Sequence, residues 1–262
     1  TANARTRTAN SLYFQKSIFP LYSHTTKRTH YFKHYQYNSH GKEEKTRWAH
    51  RSLCPDSKNG RQQEQRLRQA GLVDVRDVMP GVVVDLRYSG TNNFLKKDIY
   101  ECLQVAFVQP DVGVKLKKAC EILKAERPDL RFCVYDAGRP KWAQQALWDH
   151  IDKPEHIKPV YVADPKKGSI HNYGAAIDLT LMDMKGEPVD MGTPYDFFGL
   201  EAQPRCEEQM VAKGVLTHKQ VSNRKLLRQI MKQAGFLSIT SEWWHFNSCS
   251  LASARKKYAV LL

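Results

Sequence analysis

The residues with the most chemical capacity are two histidines and two acids set far apart in the chain. His171 and Asp178 are separated as His-x6-Asp across a glycine-containing turn, and His245 follows in a distant segment. Two ligands can project from neighbouring strands in that arrangement, with the third arriving from another. Imidazole and carboxylate donors are what a catalytic Zn2+ takes from a protein when one position is kept open for water. Beside the third donor stands Glu242, in the string Glu242-Trp243-Trp244-His245. A carboxylate there suits a general base and proton shuttle, and the indole rings exclude water. Strict alternation along a strand sends residues 242 and 245 to opposite faces, so the reading requires the strand to end or bulge between them. Arg139 leaves a strand in the run Asp136-Ala137-Gly138-Arg139-Pro140, where a guanidinium can neutralise an oxyanion developing at an attacked carbonyl. Singly, each of these fits an ordinary role, such as a turn histidine bonded to backbone or a surface arginine. Together they outline a zinc hydrolase.

Several elements must position them. Residues 60–71 allow a short helix stopped by Gly71, and residues 81–88 (GVVVDLRY) read as a strand between Pro80 and a polar turn. From Asp111 to Glu126, Val112, Leu116, Ala119, Cys120 and Leu123 recur at helical spacing, and Pro128 ends the run. LRFCVYDAG is an apolar strand delivering Arg139, after which Pro140 can start the helix KWAQQALWDHI. Residues 152–167 read as a surface loop. SIHNYGAAIDLTLMD suggests a strand, a turn at Gly174 and a second strand with Ile177, Leu179 and Leu181 on one face. A helix capped by Ser222 is expected over 222–234, and SITSEWWHF reads as a last strand. Without a regular βαβα beat, the order implies an α+β fold with an antiparallel central sheet flanked by helices.

The strings VDLRYSGTNNF (84–94), YDAGRP (135–140), GSIHNYGAAIDLTL (168–181), MGTPYDFF (191–198) and SNRKLLRQIMKQAGFLSITSEWWHF (222–246) together carry a resemblance. In their order and type they resemble the D-alanyl-D-alanine dipeptidases, zinc peptidases of the D-Ala-D-Ala metallopeptidase group, over roughly Leu72 to Phe246. The resemblance implies that fold. It implies one Zn2+ per chain on His171, Asp178 and His245, Glu242 as catalytic base, and Arg139 as transition-state stabiliser. It also implies that Ser169 binds the substrate carboxylate and that Tyr88 and Asp196 receive its ammonium group. The implied reaction is hydrolysis of D-alanyl-D-alanine to two D-alanines in peptidoglycan metabolism. Leu95 and Lys96 after Phe94, and the tail after Phe246, depart from the family pattern, so related small dipeptides or cell-wall fragments stay open as substrates.

Charge divides the chain unevenly. Of the net +14, residues 1–70 hold 14 Lys or Arg against 4 Asp or Glu, leaving 27 against 23 for the remainder. A basic, polar extension over 1–70 preceding a catalytic domain over 71–262 is therefore expected. Its charge suits an anionic envelope surface, and no nucleic-acid partner is expected. The mean hydropathy of -0.59 and the lack of an apolar run approaching about 18 residues exclude a membrane-spanning helix. Periplasm or cell envelope is the expected location, with cytoplasm as the alternative. Cys102, Cys120 and Cys133 sit among apolar residues and read as buried thiols, and no CxxC pair marks a zinc ribbon. Two other functions compete: a D,D- or L,D-carboxypeptidase acting on cell-wall peptides, and a non-catalytic envelope binding or scaffold protein.

Overall fold

Two long apolar strands form the frame, and their register decides what lies beside what. In the computed structural model, which describes residues 58–262, β4 (Leu130–Asp136) and β5 (Ala176–Asp183) pair antiparallel along most of their length. Around them, β2 (Val83–Val84), β7 (His245–Asn247) and β6 (Leu237–Ser238) complete a five-stranded sheet in the order β2-β4-β5-β7-β6. Every neighbouring pair is antiparallel except β2 with β4, which is parallel. The α+β class holds, and the sheet is mixed at this one edge. A short pair, β1 (Val73–Asp74) with β3 (Phe107–Val108), stands apart from it.

Strand alternation then assigns faces. Phe132 and Val134 of β4 and Ile177, Leu179 and Leu181 of β5 share one buried cluster with Val112, Leu116, Ala119 and Leu123 of α3 (Pro110–Glu126) and Leu227, Ile230 and Met231 of α6 (His218–Gln233). Their i, i+3, i+4 spacing on each helix builds the stripe that covers this face of the sheet. A second cluster gathers Leu67 of α1 (Lys58–Gln69), Leu72, Tyr88, Tyr100, Phe107, and Ala143 and Leu147 of α4 (Lys141–His150). The single turn α2 (Val75–Val78), α5 (Glu207–Ala212) and α7 (Leu251–Lys257) complete the helices among the described residues. None is long and apolar enough to cross a membrane. Residues 1–57 of the expected basic extension, and with them its envelope contact, lie outside the described residues.

Three local expectations need correction. Ile170–Tyr173 is a 3-10 turn instead of a strand, because Ser169 accepts the His171 N–H while Asn172 Oδ1 accepts the Ser169 N–H at 2.7 Å, and Gly174 closes it at φ +63. α6 starts four residues earlier than the Ser222 cap implied. Thr217 caps it reciprocally with Gln220, and Ser222 spends its hydroxyl on His218 O inside the helix. Cys102 is disulfide-bonded on a turn at φ +71, whereas Cys133 is the buried free thiol expected and Cys120 is half-buried.

Gly138 sits where β4 hands the chain to Arg139. Its N–H donates to Phe107 O at 2.7 Å, and a Cβ there would lie 2.6 Å from that same carbonyl oxygen. Gly138→Ala should therefore push the two backbones apart and cost about 1–3 kcal/mol of stability, the usual range for overpacking. Denaturant unfolding of the two proteins measures it, and an unchanged midpoint would contradict the close approach.

Candidate metal centre and active site

The register places three polar residues abreast. Asp178 in the middle of the sheet lies opposite His245 of β7 on one side and Asp136 of β4 on the other. Along β4 the pairing jumps from Val134 opposite Leu179 to Asp136 opposite Asp178, so Tyr135 is an extra, bulged residue. A bulge turns the side chains beyond it toward a new direction. Without it Asp136 would share the face of Val134, which packs in the core. With it, Asp136 reaches the site.

His171 comes from the 3-10 turn just ahead of β5, anchored by its own backbone oxygen, which accepts the Arg139 N–H at 2.9 Å. Its Nε2 lies 3.1 Å from His245 Nδ1 and 3.3 Å from Asp178 Oδ1, and His245 Nδ1 lies 2.9 Å from that same oxygen. Three donor atoms thus face one another from three separate stretches. A tetrahedral ion with ligands at about 2.0–2.1 Å has donor-to-donor edges of about 3.3 Å, so the triangle is close to the size such an ion takes. Outer partners set both rings: His171 Nδ1 meets Ala137 O at 2.7 Å, and His245 Nε2 meets Asn247 Oδ1 at 2.8 Å. Each ring's proton is thereby directed outward, leaving the inner nitrogen's lone pair for a cation. The residues fit a divalent metal with nitrogen and oxygen preferences.

Electrostatics agree with that fit. Burial pulls the His245 imidazole down, but the hydrogen bond and charge of Asp178 overrule it and lift its pKa to about 9. Burial pushes Asp178 up, yet the two imidazoles hold its carboxyl far below the usual range. The carboxylate and the imidazoles stabilise one another's charged forms.

The strand predicted over 238–246 is interrupted. β6 ends at Ser238 and β7 begins at His245, so Glu242 lies in the irregular stretch between them, which meets the condition that strict alternation imposed. Glu242 is half-buried and accepts no hydrogen bond from the described residues. Burial raises its pKa first, with Asp178 adding to it and His245, His171 and Arg139 opposing. Those neighbours put it at the metal cluster. Trp243 and Trp244 are both buried behind it, their rings 5.4 Å apart.

Arg139 is buried, and its environment is more elaborate than its sequence context suggested. Nε and Nη2 donate to Asp136 Oδ2 at 2.9 and 2.5 Å, and Nη1 donates to Gln144 Oε1 at 2.9 Å. Tyr100 donates to the other oxygen of Asp136, and Gln144 Nε2 is anchored on Ala163 O. Of the five guanidinium N–H groups, three are committed and two stay open. Nη2 also lies 3.9 Å from Asp178 Oδ2, tying the arginine to the metal cluster.

The remaining expected residues also converge. Ser169 Oγ accepts the His171 N–H at 3.3 Å, which leaves its own proton free to donate. Tyr88, buried at the end of the β2 segment, donates to Asp196 Oδ1 and Oδ2 at 3.2 and 3.1 Å. Asp196 sits at φ +58, in the left-handed region that aspartate enters more readily than most non-glycine residues. Burial and the charge of Asp178 push its carboxyl well above the normal range. A positive partner would relieve it. The segment holding Asp196 is pinned by fully buried Arg224 of α6, which donates to Met191 O at 2.6 Å and Glu201 O at 2.7 Å, and by Trp243 Nε1 on Thr193 Oγ1 at 2.8 Å. Outside Asp196 a cavity of about 260 Å³ is lined by Arg87, Asn93, Phe94, Lys96, Tyr195 and Phe197.

Sequence reasoning gave no role to Asp136, Gln144, Tyr100, Asn247 or Tyr195. Asp136, three residues before Arg139 on the same apolar strand, was the one detectable signal, since a buried acid there needs a cation.

An α+β domain that holds two imidazoles and a carboxylate at metal-binding distance, next to a glutamate and a buried guanidinium, has the makings of a metallopeptidase. Comparison with known proteins agrees. A family model described as D-ala-D-ala dipeptidase matches residues 68–260. The chain is 35% identical over 182 residues to a D-alanyl-D-alanine dipeptidase of Escherichia coli (strain K12), covering 70% of this chain and 86% of that one. It is 30% identical over 197 residues to the D-alanyl-D-alanine dipeptidase of Enterococcus faecium, covering 68% and 91%. The chain belongs to the D-Ala-D-Ala dipeptidase family.

Asp136 is the only acid that hydrogen-bonds the Arg139 guanidinium directly among the described residues. Asp136→Asn should leave a buried charge poorly compensated and cost about 3–5 kcal/mol, read as a lowered unfolding midpoint. A loss below about 1 kcal/mol, the scale of an exposed pair, would mean that Arg139 finds its counter-charge elsewhere.

Proposed function

We propose that this protein is a Zn2+-dependent dipeptidase that hydrolyses D-alanyl-D-alanine to two D-alanines in peptidoglycan metabolism, acting at the cell envelope, where the basic residues of 1–70 favour anionic surroundings. The observation that carries the reading is the triangle of His171 Nε2, Asp178 Oδ1 and His245 Nδ1, with edges of 3.1, 3.3 and 2.9 Å, set beside Glu242 and Arg139. Zinc suits a set of two imidazoles and one carboxylate, and when bound it supplies Lewis acidity and acidifies water.

The chain's own residues do the rest. Asp196, with Tyr88 holding both its oxygens, offers an anion to the α-ammonium of the dipeptide, and that charge offsets the penalty of keeping the carboxylate ionised. Ser169 donates its free hydroxyl proton to the terminal carboxylate. Glu242 takes the proton from the attacking water as the new C–O bond forms. Its raised pKa makes it a willing acceptor and then a donor to the leaving nitrogen as the C–N bond breaks. Arg139 turns its two uncommitted N–H groups toward the oxyanion, held in place by Asp136 and Gln144.

Selection for a free dipeptide follows from the amino end. An acylated amine would place an uncharged amide against Asp196, leaving a half-buried carboxylate without its cation. This favours a dipeptidase over a carboxypeptidase acting on longer wall peptides. Neither a base nor an oxyanion donor is needed by a scaffold.

Amine release from D-alanyl-D-alanine by the Zn2+-loaded full chain tests the reading, with N-acetyl-D-alanyl-D-alanine as the comparison. Cleavage of the free dipeptide and rejection of the acylated one is expected; equal cleavage of both would favour the carboxypeptidase. Glu242→Ala should keep stoichiometric zinc while kcat falls about 10²–10⁴-fold, the contribution of a positioned base. Near-normal turnover in that variant would remove Glu242 from the chemistry.

A further inference from the structure

One ring touches the metal cluster, Tyr88 and Trp244 without a part in the chemistry. Tyr195 Oη lies 3.0 Å from Asp178 Oδ2, the oxygen turned away from the two imidazoles, and 3.4 Å from Tyr88 Oη. Its ring is wedged between Tyr135 and Trp244, at centroid distances of 5.2 and 5.3 Å, and beside Tyr88 at 6.1 Å. A phenol so tightly packed on three sides has little freedom to move its hydroxyl.

Counting protons assigns the bonds. Each phenol has one proton to donate. That of Tyr88 goes to Asp196, which it meets with both carboxylate oxygens in reach. Asp178 Oδ2 has two possible donors, Tyr195 at 3.0 Å and Arg139 Nη2 at 3.9 Å, and only the first is at hydrogen-bond distance. Tyr195 therefore donates to Asp178. The carboxylate is held at both ends: Oδ1 faces the imidazoles, and Oδ2 is fixed by the phenol.

We infer that Tyr195 is a positioning residue that orients Asp178 as a metal ligand and keeps Arg139 from being drawn onto it. The inference rests on the metal-binding reading of His171, Asp178 and His245. Losing the hydroxyl has two consequences. Oδ2 becomes an unsatisfied buried acceptor, so the carboxylate can rotate away from its facing position. Its nearest replacement donor is Arg139, which needs to close a gap of 3.9 Å. Closing it would strain the bonds that hold the guanidinium on Asp136 and Gln144. With Asp136 and Gln144 holding the guanidinium on its other side, Tyr195 fills the Asp178 oxygen that Arg139 would otherwise compete for.

The test is Tyr195→Phe in the full chain, which removes one oxygen and keeps the ring contacts. Zn2+ affinity is measured by competition with a chromophoric chelator, with no substrate present, alongside kcat, KM and the melting temperature. The expected result is Zn2+ binding weakened about 10–100-fold, the usual effect of removing a partner of a metal ligand. At saturating zinc, kcat should stay low while KM changes little. Tyr88→Phe should do the opposite, raising KM and leaving Zn2+ affinity intact. Unchanged Zn2+ affinity in Tyr195→Phe overturns the inference, whatever the melting temperature does. If the wild-type chain itself binds no Zn2+, the metal-binding reading falls and the inference with it; tight wild-type binding matched by the variant defeats the inference alone.

Discussion

A buried carboxylate in the middle of a sheet is unstable unless positive charge surrounds it, and Asp178 organises the structure for that reason. It sits among core residues on β5, between Ile177 and Leu179, whose side chains pack on the opposite face. Imidazoles from a turn and from β7 meet its inner oxygen, and a phenol and a more distant guanidinium meet its outer one. Desolvation makes each of these contacts stronger than it would be in water, and makes the loss of any one costly. The carboxylate is therefore fixed at both oxygens by partners drawn from separate segments.

The same logic repeats one layer out. Arg139 is a cation buried beside the metal cluster, and Asp136, Gln144 and Tyr100 surround it as a satisfied network. Asp136 arrives only because a bulge at Tyr135 turns it out of the core face. Arg224, also wholly buried, binds main-chain oxygens at both ends of the segment from Met191 to Glu201 and so holds Tyr195 and Asp196 where the chemistry needs them. It pairs loosely with Glu207, whose stronger partner is Arg228 at 2.6 Å. Buried ion pairs of this kind add little net stability, but removing one member is expensive. Their effect here is geometric: they connect α6, the Asp196 segment and the tryptophan pair into one body.

Binding both ends of a very small substrate places demands that chemistry alone does not. In the proposed reaction, metal ligands, base and oxyanion donor would serve any peptide bond. On the function proposed above, Ser169 beside the 3-10 turn and Asp196, hydrogen-bonded by Tyr88, would meet the two ends of such a substrate. The left-handed backbone of Asp196 is held on its flanks by Arg224 and Trp243.

Most helices, the two long strands and the donor set of His171, Asp178 and His245 were legible in the chain because each depends on local chemistry: apolar period, turn residues, and side chains able to bind a metal. His171 and Asp178 even share one local unit, a capped turn running into β5. Other features were beyond reach because they arise between segments distant in sequence. The interruption between Ser238 and His245 was required by the chemistry but not visible in the apolar pattern. The 3-10 turn at Ile170–Tyr173 depends on a reciprocal cap whose sequence also permits a strand. The parallel edge at β2, the bulge that redirects Asp136 and the contact between Tyr195 and Asp178 have no local signature at all. They arise from register and packing across the sheet, which only the folded chain decides, because a strand's partner and a buried acid's counter-charge are chosen by what else must be desolvated beside them.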